Sequence, residues 1–407
     1  MNTTNDSQSK VAPDERDTLK GWIAVASAFV STFICFGVAY GFGAFFDSMA
    51  TEFGAGKSAT SLVFSITTFI FFTGGIVSGY AADRFGPKPV LIFGGIAMGL
   101  GLYLTSLVGS LKMGYITYGL GVGIGVACGY VPMLATVGGW FERRRAVALG
   151  VAVTGIGFGT LLMAPLAAGL INKFGWRQTY VIFAITSAVV LILCGLITSR
   201  PPAPATQQKQ ISLKNAIKTP VFRCMYVAGF LNTLALYVPF VFIIPYAKAQ
   251  GVDEVTAASL VGIIGGASIA GRLGYGFLGD HFSRIRLFQT TFFMVAFSFV
   301  VWWLASDSFF LMIVFAVFLG FNYGGYIALS PSVTAEFFGP VGLGGILGAM
   351  YTAAGVGSFL GPPLAGYLID TTGTYTPSII AAMGMAFLAF LFLLPLARLI
   401  KKGSSPV

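Results

Sequence analysis

The sequence predicts an all-α membrane protein: twelve transmembrane helices arranged as two six-helix halves. Three observations carry that expectation. Of the 407 residues, 56% are hydrophobic and only 9% charged, with a mean hydropathy of +0.85, whereas soluble domains carry about 25% charge. A water-soluble fold could not hide so much apolar surface. Apolar runs of about 20 residues, the length that crosses a bilayer, recur twelve times along the chain. The lysines and arginines behind the net charge of +10 sit in the short breaks between those runs. There they set topology and do not point to nucleic acid.

The expected spans are 20–47, 57–82, 88–108, 113–138, 145–170, 176–199, 221–248, 254–280, 285–305, 309–335, 342–369 and 376–399. Residues 1–17 are polar and end in Asp14-Glu15-Arg16-Asp17, so the first run is expected to stay as a helix and not be cleaved as a signal peptide. The one sizeable interruption is 200–219, RPPAPATQQKQISLKNAIKT. It reads as a linker, with a short surface helix from Ile211 onward. The expected organisation is a cytoplasmic tail (1–19), a first half (20–199), the linker (200–219), a second half (220–400) and a second tail (401–407).

Basic residues orient these spans. One side collects Lys10, Arg16 and Lys20; Arg84 and Lys88; Arg143, Arg144 and Arg145; Arg200, Lys209, Lys214, Lys218 and Arg223; Arg284 and Arg286; and Arg398, Lys401 and Lys402. The other side has Lys57, Lys112, Lys173, Arg177 and Lys248. The basic side is expected to be cytoplasmic, with both termini on it. The four cysteines, Cys35, Cys128, Cys194 and Cys224, lie in or beside apolar runs without CxxC spacing and read as small hydrophobes. The glycine series Gly119 to Gly129 lies within a span, with no preceding strand to make it a dinucleotide loop. It reads as a surface for close helix packing.

One basic residue is left over. Arg272 stands inside Val261–Gly276, VGIIGGASIAGRLGYG, deep in the eighth span, with no carboxylate in that run. A charge at that depth costs several kcal/mol, so it is retained for a function or neutralised by a partner. All fourteen acids can be placed at termini, in loops or near span ends, which leaves no obvious partner. Its forked, permanently charged donors match a carboxylate.

A weak repeat links the two halves. Gly79-Tyr-Ala-Ala-Asp83-Arg84-Phe-Gly86-Pro-Lys88 follows the second span, and Gly276-Phe-Leu-Gly-Asp280-His281-Phe-Ser283-Arg284 follows the eighth. Duplicated halves suit alternating access to a midplane site. The G-x-x-x-D-R-x-G-x-K turn, with the twelve spans and central loop, resembles the major facilitator superfamily. In that family the aspartate ties its helix to neighbouring helix ends, so Asp83, Arg84 and Lys88, with Asp280 and Arg284 in the second copy, are expected to form a conformational latch. His281, the one histidine, joins the second turn.

A further motif, Trp140-Phe141-Glu142-Arg143-Arg144-Arg145 followed by small and apolar residues to Thr154-Gly155, resembles the monocarboxylate transporter signature, with Thr154 where alanine is usual. The family's first-span signature survives as Asp17, Gly21 and Trp22. Bacterial oxalate/formate antiporters share much of the pattern. Both groups carry an arginine in the eighth span that binds the substrate carboxylate, which the resemblance assigns to Arg272. Tyr40, Tyr130, Tyr323 and Tyr351 match aromatic positions lining the antiporter site. The animal transporters carry an aspartate four residues before the arginine; here it is Ser268, one helical turn away. Their first-span lysine also has no counterpart, so a proton would travel with the acid or through the substrate–Arg272 pair. Asn232 and Asn322 are polar residues in apolar runs, either ligands or interhelical hydrogen bonds. The antiporter's second cation is absent from Tyr351-Thr-Ala-Ala354-Gly355, and a single core cation balances a single carboxylate.

The resulting expectation is a secondary transporter of a small monocarboxylate such as lactate or pyruvate, with proton coupling, in a bacterial inner membrane. It is expected to be monomeric, to need no cofactor or metal, and to carry out no covalent chemistry. An organic-anion exchanger and a non-transporting carboxylate receptor are the alternatives.

Overall fold

The computed structural model describes residues 18–142, 144–202, 213–339 and 343–396. Lys10, Arg16, Asp17, Arg143, Lys209, Ile211, Arg398, Lys401 and Lys402 lie outside these, as do most of the two tails and of the linker. Every regular element among the described residues is helical, in sixteen segments. These are α1 (Leu19–Tyr40), α2 (Phe42–Glu52), α3 (Lys57–Phe85), α4 (Pro87–Ser106), α5 (Leu111–Gly129), α6 (Val131–Trp140), α7 (Arg145–Phe174) and α8 (Trp176–Ile197). After them come α9 (Leu213–Ala216), α10 (Pro220–Leu236), α11 (Val238–Ala249), α12 (Glu254–His281), α13 (Arg284–Ala305), α14 (Phe309–Phe338), α15 (Leu343–Thr372) and α16 (Thr376–Leu393).

Eleven helical stretches among the described residues are long and apolar enough to cross a membrane. Twelve were expected; the run expected at 342–369 corresponds to α15, a helix of 30 residues. The chain is thus an all-α, multi-pass membrane protein. Several starts carry a side-chain cap that supplies an acceptor to the first turn's N–H groups. Asp253 accepts from Thr256 N at 3.0 Å at the head of α12, and Thr219 and Ser308 do the same for α10 and α14.

Three of the crossing stretches are broken partway, at Gly41, Tyr130 and Tyr237. Two of the breaks have a covalent cause. Pro132 and Pro239 stand in the first turn after the break, and proline has no N–H to continue the ladder. Gly41 lacks such a proline. Two residues on, a Cβ at Gly43 would strike the Phe240 carbonyl, so the α1/α2 break lies where that segment meets α11.

Helices α1–α8 pack chiefly on one another, as do α10–α16; the main seams between the groups are α3 with α15 and α7 with α12. Glycine pairs spaced four apart let backbones cross closely. Gly155 and Gly159 of α7 rest on the Phe29 and Phe33 carbonyls. Gly320 and Gly324 of α14 rest on those of Ile264 and Ser268, and Gly357 and Gly361 of α15 on those of Phe230 and Leu234. A Cβ at any of the six would come within 3.0 Å of the facing backbone.

The bundle has one face at Leu19 and the opposite face at Glu52. The Glu52 face carries several polar ties between the two helix groups. Asp370, near the end of α15, accepts from Lys57 N and Ser58 N at 2.9 Å each and so caps α3 from across the seam. Ser58 Oγ donates to the Pro363 carbonyl at 3.0 Å, and Lys248 Nζ pairs with Asp47 at 3.0 Å. At the Leu19 face, Trp140 Nε1 donates to Ser199 O at 3.2 Å and Gln289 Nε2 to Leu393 O at 2.7 Å, each within one group.

Gly324→Ala sets a methyl group against the Ser268 carbonyl, one turn from Arg272, and should cost about 1–3 kcal/mol. A lower melting midpoint in detergent is the expected outcome. Gly384→Ala, where a Cβ meets nothing within 4 Å, should leave the midpoint unchanged or raise it through helix propensity.

Candidate substrate site

The three breaks converge. Tyr40 ends α1, Tyr130 joins α5 to α6, and Tyr237 joins α10 to α11. All three line one internal cavity of about 50 Å³, together with Phe36, Phe71 and Phe72 and, from α14 and α15, Tyr323, Tyr326, Ser330 and Tyr351. That volume holds roughly four waters. The four tyrosines expected from the sequence are therefore brought together. Tyr237 and Tyr326 were not expected there. The Pro239 break could have flagged Tyr237, and i, i+3 spacing from Tyr323 could have flagged Tyr326.

A hydroxyl chain closes one end of the cavity. The Tyr40 hydroxyl lies 3.0 Å from that of Tyr323 and 3.3 Å from that of Tyr237. It thereby links α1 to α14 and to the α10/α11 break. The Tyr40 ring is 4.5 Å from that of Phe240. Beyond it, toward the Glu52 face, Phe42, Phe46, Phe240 and Phe242 are fully buried. Access from that face is sealed by aromatic packing.

Arg272, on α12, does not itself line the cavity, but it stands within electrostatic range of three of its tyrosines. It lies nine residues before His281, about 13.5 Å along the axis, close to the midplane of a 30 Å hydrocarbon layer. Only 7% of it is exposed. One guanidinium nitrogen, Nη1, donates to the Val153 carbonyl of α7 at 2.8 Å, across the seam between the helix groups. Nε and Nη2 are buried and have no partner. The groups in electrostatic contact with its charge are Tyr323, Tyr130 and Tyr40. The ten described carboxylates, Asp47, Glu52, Asp83, Glu142, Asp253, Glu254, Asp280, Asp307, Glu336 and Asp370, all stand in loops or within two turns of a span end. A buried cation with unfilled donors, beside an aromatic cavity, is suited to receive an anion.

The remaining expected ligands are placed differently. Ser268 does not line the cavity; its hydroxyl donates to the Gly265 carbonyl of its own helix at 2.7 Å. Asn232 does not line it either. It is 1% exposed, and neither atom of its amide has a partner. Asn322 is an interhelical bond: Tyr275 donates to its Oδ1 at 2.7 Å, and its Nδ2 donates to Phe318 O at 2.8 Å.

The two repeated turns differ from each other. Gly86, at φ +90°, makes the first turn possible; in the second, Phe282 and Ser283 turn without a positive φ. Asp83 is held through its carbonyl, which accepts from Arg200. Among the described residues, its carboxylate forms none of the expected ties to neighbouring helix ends. Arg84 lies over the Phe85 ring at 5.2 Å, and Lys88 joins no ion pair there. In the second turn Arg284 Nη2 is 3.6 Å from Asp280, and Arg284 Nε donates to Gly279 O at 3.1 Å. His281 Nδ1 lies 3.0 Å from Phe277 O. Among the described residues, no group of three or more His, Cys, Asp or Glu side chains is placed to hold a metal.

The family model of the Major Facilitator Superfamily matches residues 28–305 and 225–407. Monocarboxylate transporter 13 of Rattus norvegicus is 31% identical over 372 residues, 89% of this chain and 85% of its own length. Monocarboxylate transporter 12 of Homo sapiens is 30% identical over 424 residues, 94% of this chain and 81% of its own. Among solved structures, a bacterial homologue of the human lysosomal transporter Spinster, inward-facing and occupied, superposes with a TM-score of 0.77. It is 16% identical and covers 94% of this chain and 98% of that one, a likeness of fold. The chain belongs to the Major Facilitator Superfamily and is related to the monocarboxylate transporters. It is a secondary transporter of small solutes, not an enzyme. The likeness to oxalate/formate antiporters finds no support among these relatives.

Tyr40→Phe keeps the ring but removes the hydroxyl that bridges Tyr237 and Tyr323. It should cost roughly 1–3 kcal/mol, read as a lower melting midpoint. An unchanged midpoint would mean that the triad does nothing to hold α1 against its partners.

Proposed function

We propose that this Major Facilitator Superfamily member carries a small monocarboxylate across the membrane by alternating access, with Arg272 as the carboxylate clamp. The observation that carries this reading is the pair of unpartnered nitrogens, Nε and Nη2, on a buried arginine within electrostatic range of the cavity tyrosines Tyr323, Tyr130 and Tyr40. A carboxylate would fill both donors and neutralise the charge. The cavity lining itself holds no cation, so Arg272 beside it can balance one carboxylate and a second would go uncompensated, which favours a monoanion of the lactate or pyruvate type over a dianion. The chain's similarity to monocarboxylate transporters 12 and 13 supports that class.

In this reading α15 is the twelfth span, residues 20–199 and 220–400 are the two halves, and 200–219 links them. The Leu19 face is cytoplasmic, both termini lie there, and the protein acts as a monomer in a bacterial inner membrane. The ties at the Glu52 face and the aromatic seal beyond Tyr40 support an inward-facing state. Arg200 with Asp83, and Arg284 with Asp280, would rearrange as the halves rock, with Arg84 and Lys88 available to the same turn. A co-transported proton enters with the acid or through the substrate–Arg272 pair, since Ser268 cannot carry it as a carboxylate would. Tyr40, Tyr130, Tyr323 and Tyr351 shape the site; Asn232, unpartnered one residue from the cavity residue Thr233, completes it after repacking.

The test is uptake of labelled lactate, pyruvate, formate and oxalate into proteoliposomes, with and without an inward proton gradient. Lactate or pyruvate should accumulate, faster with the gradient, and Arg272→Ala should reduce uptake roughly 10- to 100-fold. Undiminished uptake in Arg272→Ala, or oxalate outcompeting lactate, would overturn the reading. Uptake that depends strictly on internal anion and ignores the gradient would make the protein an exchanger.

A further inference from the structure

Of the six cavity tyrosines, three satisfy one another: Tyr237, Tyr40 and Tyr323 form the hydroxyl chain. Tyr130 and Tyr351 interact with each other without a full hydrogen bond between their hydroxyls among the described residues. Tyr326 is different. Its ring is wedged between α14 and α13, 5.9 Å from Phe288 at 25° and 5.4 Å from Phe292 at 78°. That packing fixes the ring plane. The hydroxyl at its far end has no hydrogen-bond partner among the described residues, yet the residue lines the cavity. It interacts electrostatically with Tyr323 and Tyr130, which in turn interact with the Arg272 charge. On α14 it stands three residues from Tyr323, about 4.5 Å along the axis and on the same face. The other cavity hydroxyls are less suited. Thr233 spends its own on the Gly229 and Phe230 carbonyls, and Ser330 is two turns beyond Tyr323.

We propose that Tyr326 is the specificity-determining residue for the substituent on carbon 2, selecting 2-hydroxy and 2-oxo acids over plain aliphatic acids. The inference rests on the reading of the cavity as a monocarboxylate site. With the carboxylate on Arg272, carbon 2 is the next atom inward, and a substituent there points among the tyrosines. A phenol both donates and accepts, so one fixed hydroxyl serves a 2-oxo acceptor and a 2-hydroxyl donor. An acid that lacks the group sets apolar carbon against that hydroxyl and leaves it unpaired, which turns a neutral hydrogen bond into discrimination.

The experiment compares propionate with lactate and pyruvate in wild-type and Tyr326→Phe proteoliposomes. Wild type should favour lactate and pyruvate about three- to tenfold in kcat/KM. Tyr326→Phe should lower lactate and pyruvate kcat/KM toward the value for propionate, so that the ratio between the acids, measured within each protein, falls to about one. A wild type indifferent to the 2-substituent, a preference that survives in Tyr326→Phe, or an equal fall for all three acids would overturn the inference. In each of those cases propionate still moves and the monocarboxylate reading stands. A wild type that takes up none of the three acids would overturn that reading and this inference together. The wild-type comparison holds even if the variant does not fold.

Discussion

A permanent positive charge in an apolar seam is the constraint on which the rest of this structure depends. Arg272 cannot lose its proton as a buried lysine can, and at mid-bilayer depth its cost is several kcal/mol. The fold gives it one carbonyl, Val153 O, with Tyr323, Tyr130 and Tyr40 within electrostatic range. The described carboxylates that could neutralise it are all confined to span ends and loops. The charge therefore remains short of hydrogen bonds, with Nε and Nη2 unpartnered. That Nη1 reaches across the α7/α12 seam makes the same residue a contact between the two helix groups.

The surrounding architecture delivers this arrangement by two means. Close backbone crossings at the glycine pairs bring α12 against α14, and α7 against α1, without bulky side chains between them. Breaks in three crossing helices then turn Tyr40, Tyr130 and Tyr237 toward a common point. Within a bilayer such interruptions are tolerated where protein or a cavity satisfies the freed backbone. Here they coincide with the cavity wall, so the weakest points of the helices are also where the ligand would be met.

Much of this was legible in the chain. The long apolar runs reveal the spans because a bilayer imposes their length. Arg272 stands out because nothing else charged lies at its depth. Tyr40, Tyr130, Tyr323 and Tyr351 could be named from the family pattern and do share one cavity. Tyr237 and Tyr326 escaped notice because in a uniformly apolar helix no polar stripe shows which face turns inward. Ser268 sits one turn from Arg272, as the spacing requires, yet its hydroxyl is spent on Gly265 O. Spacing along a helix does not reveal such a local choice. The first turn's tie to Arg200 runs through the Asp83 carbonyl, and a backbone acceptor leaves no mark in a sequence.

The central claim is that a substrate carboxylate seats on the free edge of the Arg272 guanidinium. Solid-state NMR dipolar recoupling between carboxyl-labelled ¹³C-lactate and ¹⁵N-guanidinium arginine in proteoliposomes measures that contact directly. A coupling corresponding to about 4 Å, the range of an ion pair, that disappears in Arg272→Lys is the predicted result. No coupling at saturating lactate, or a coupling undiminished in Arg272→Lys, would contradict it.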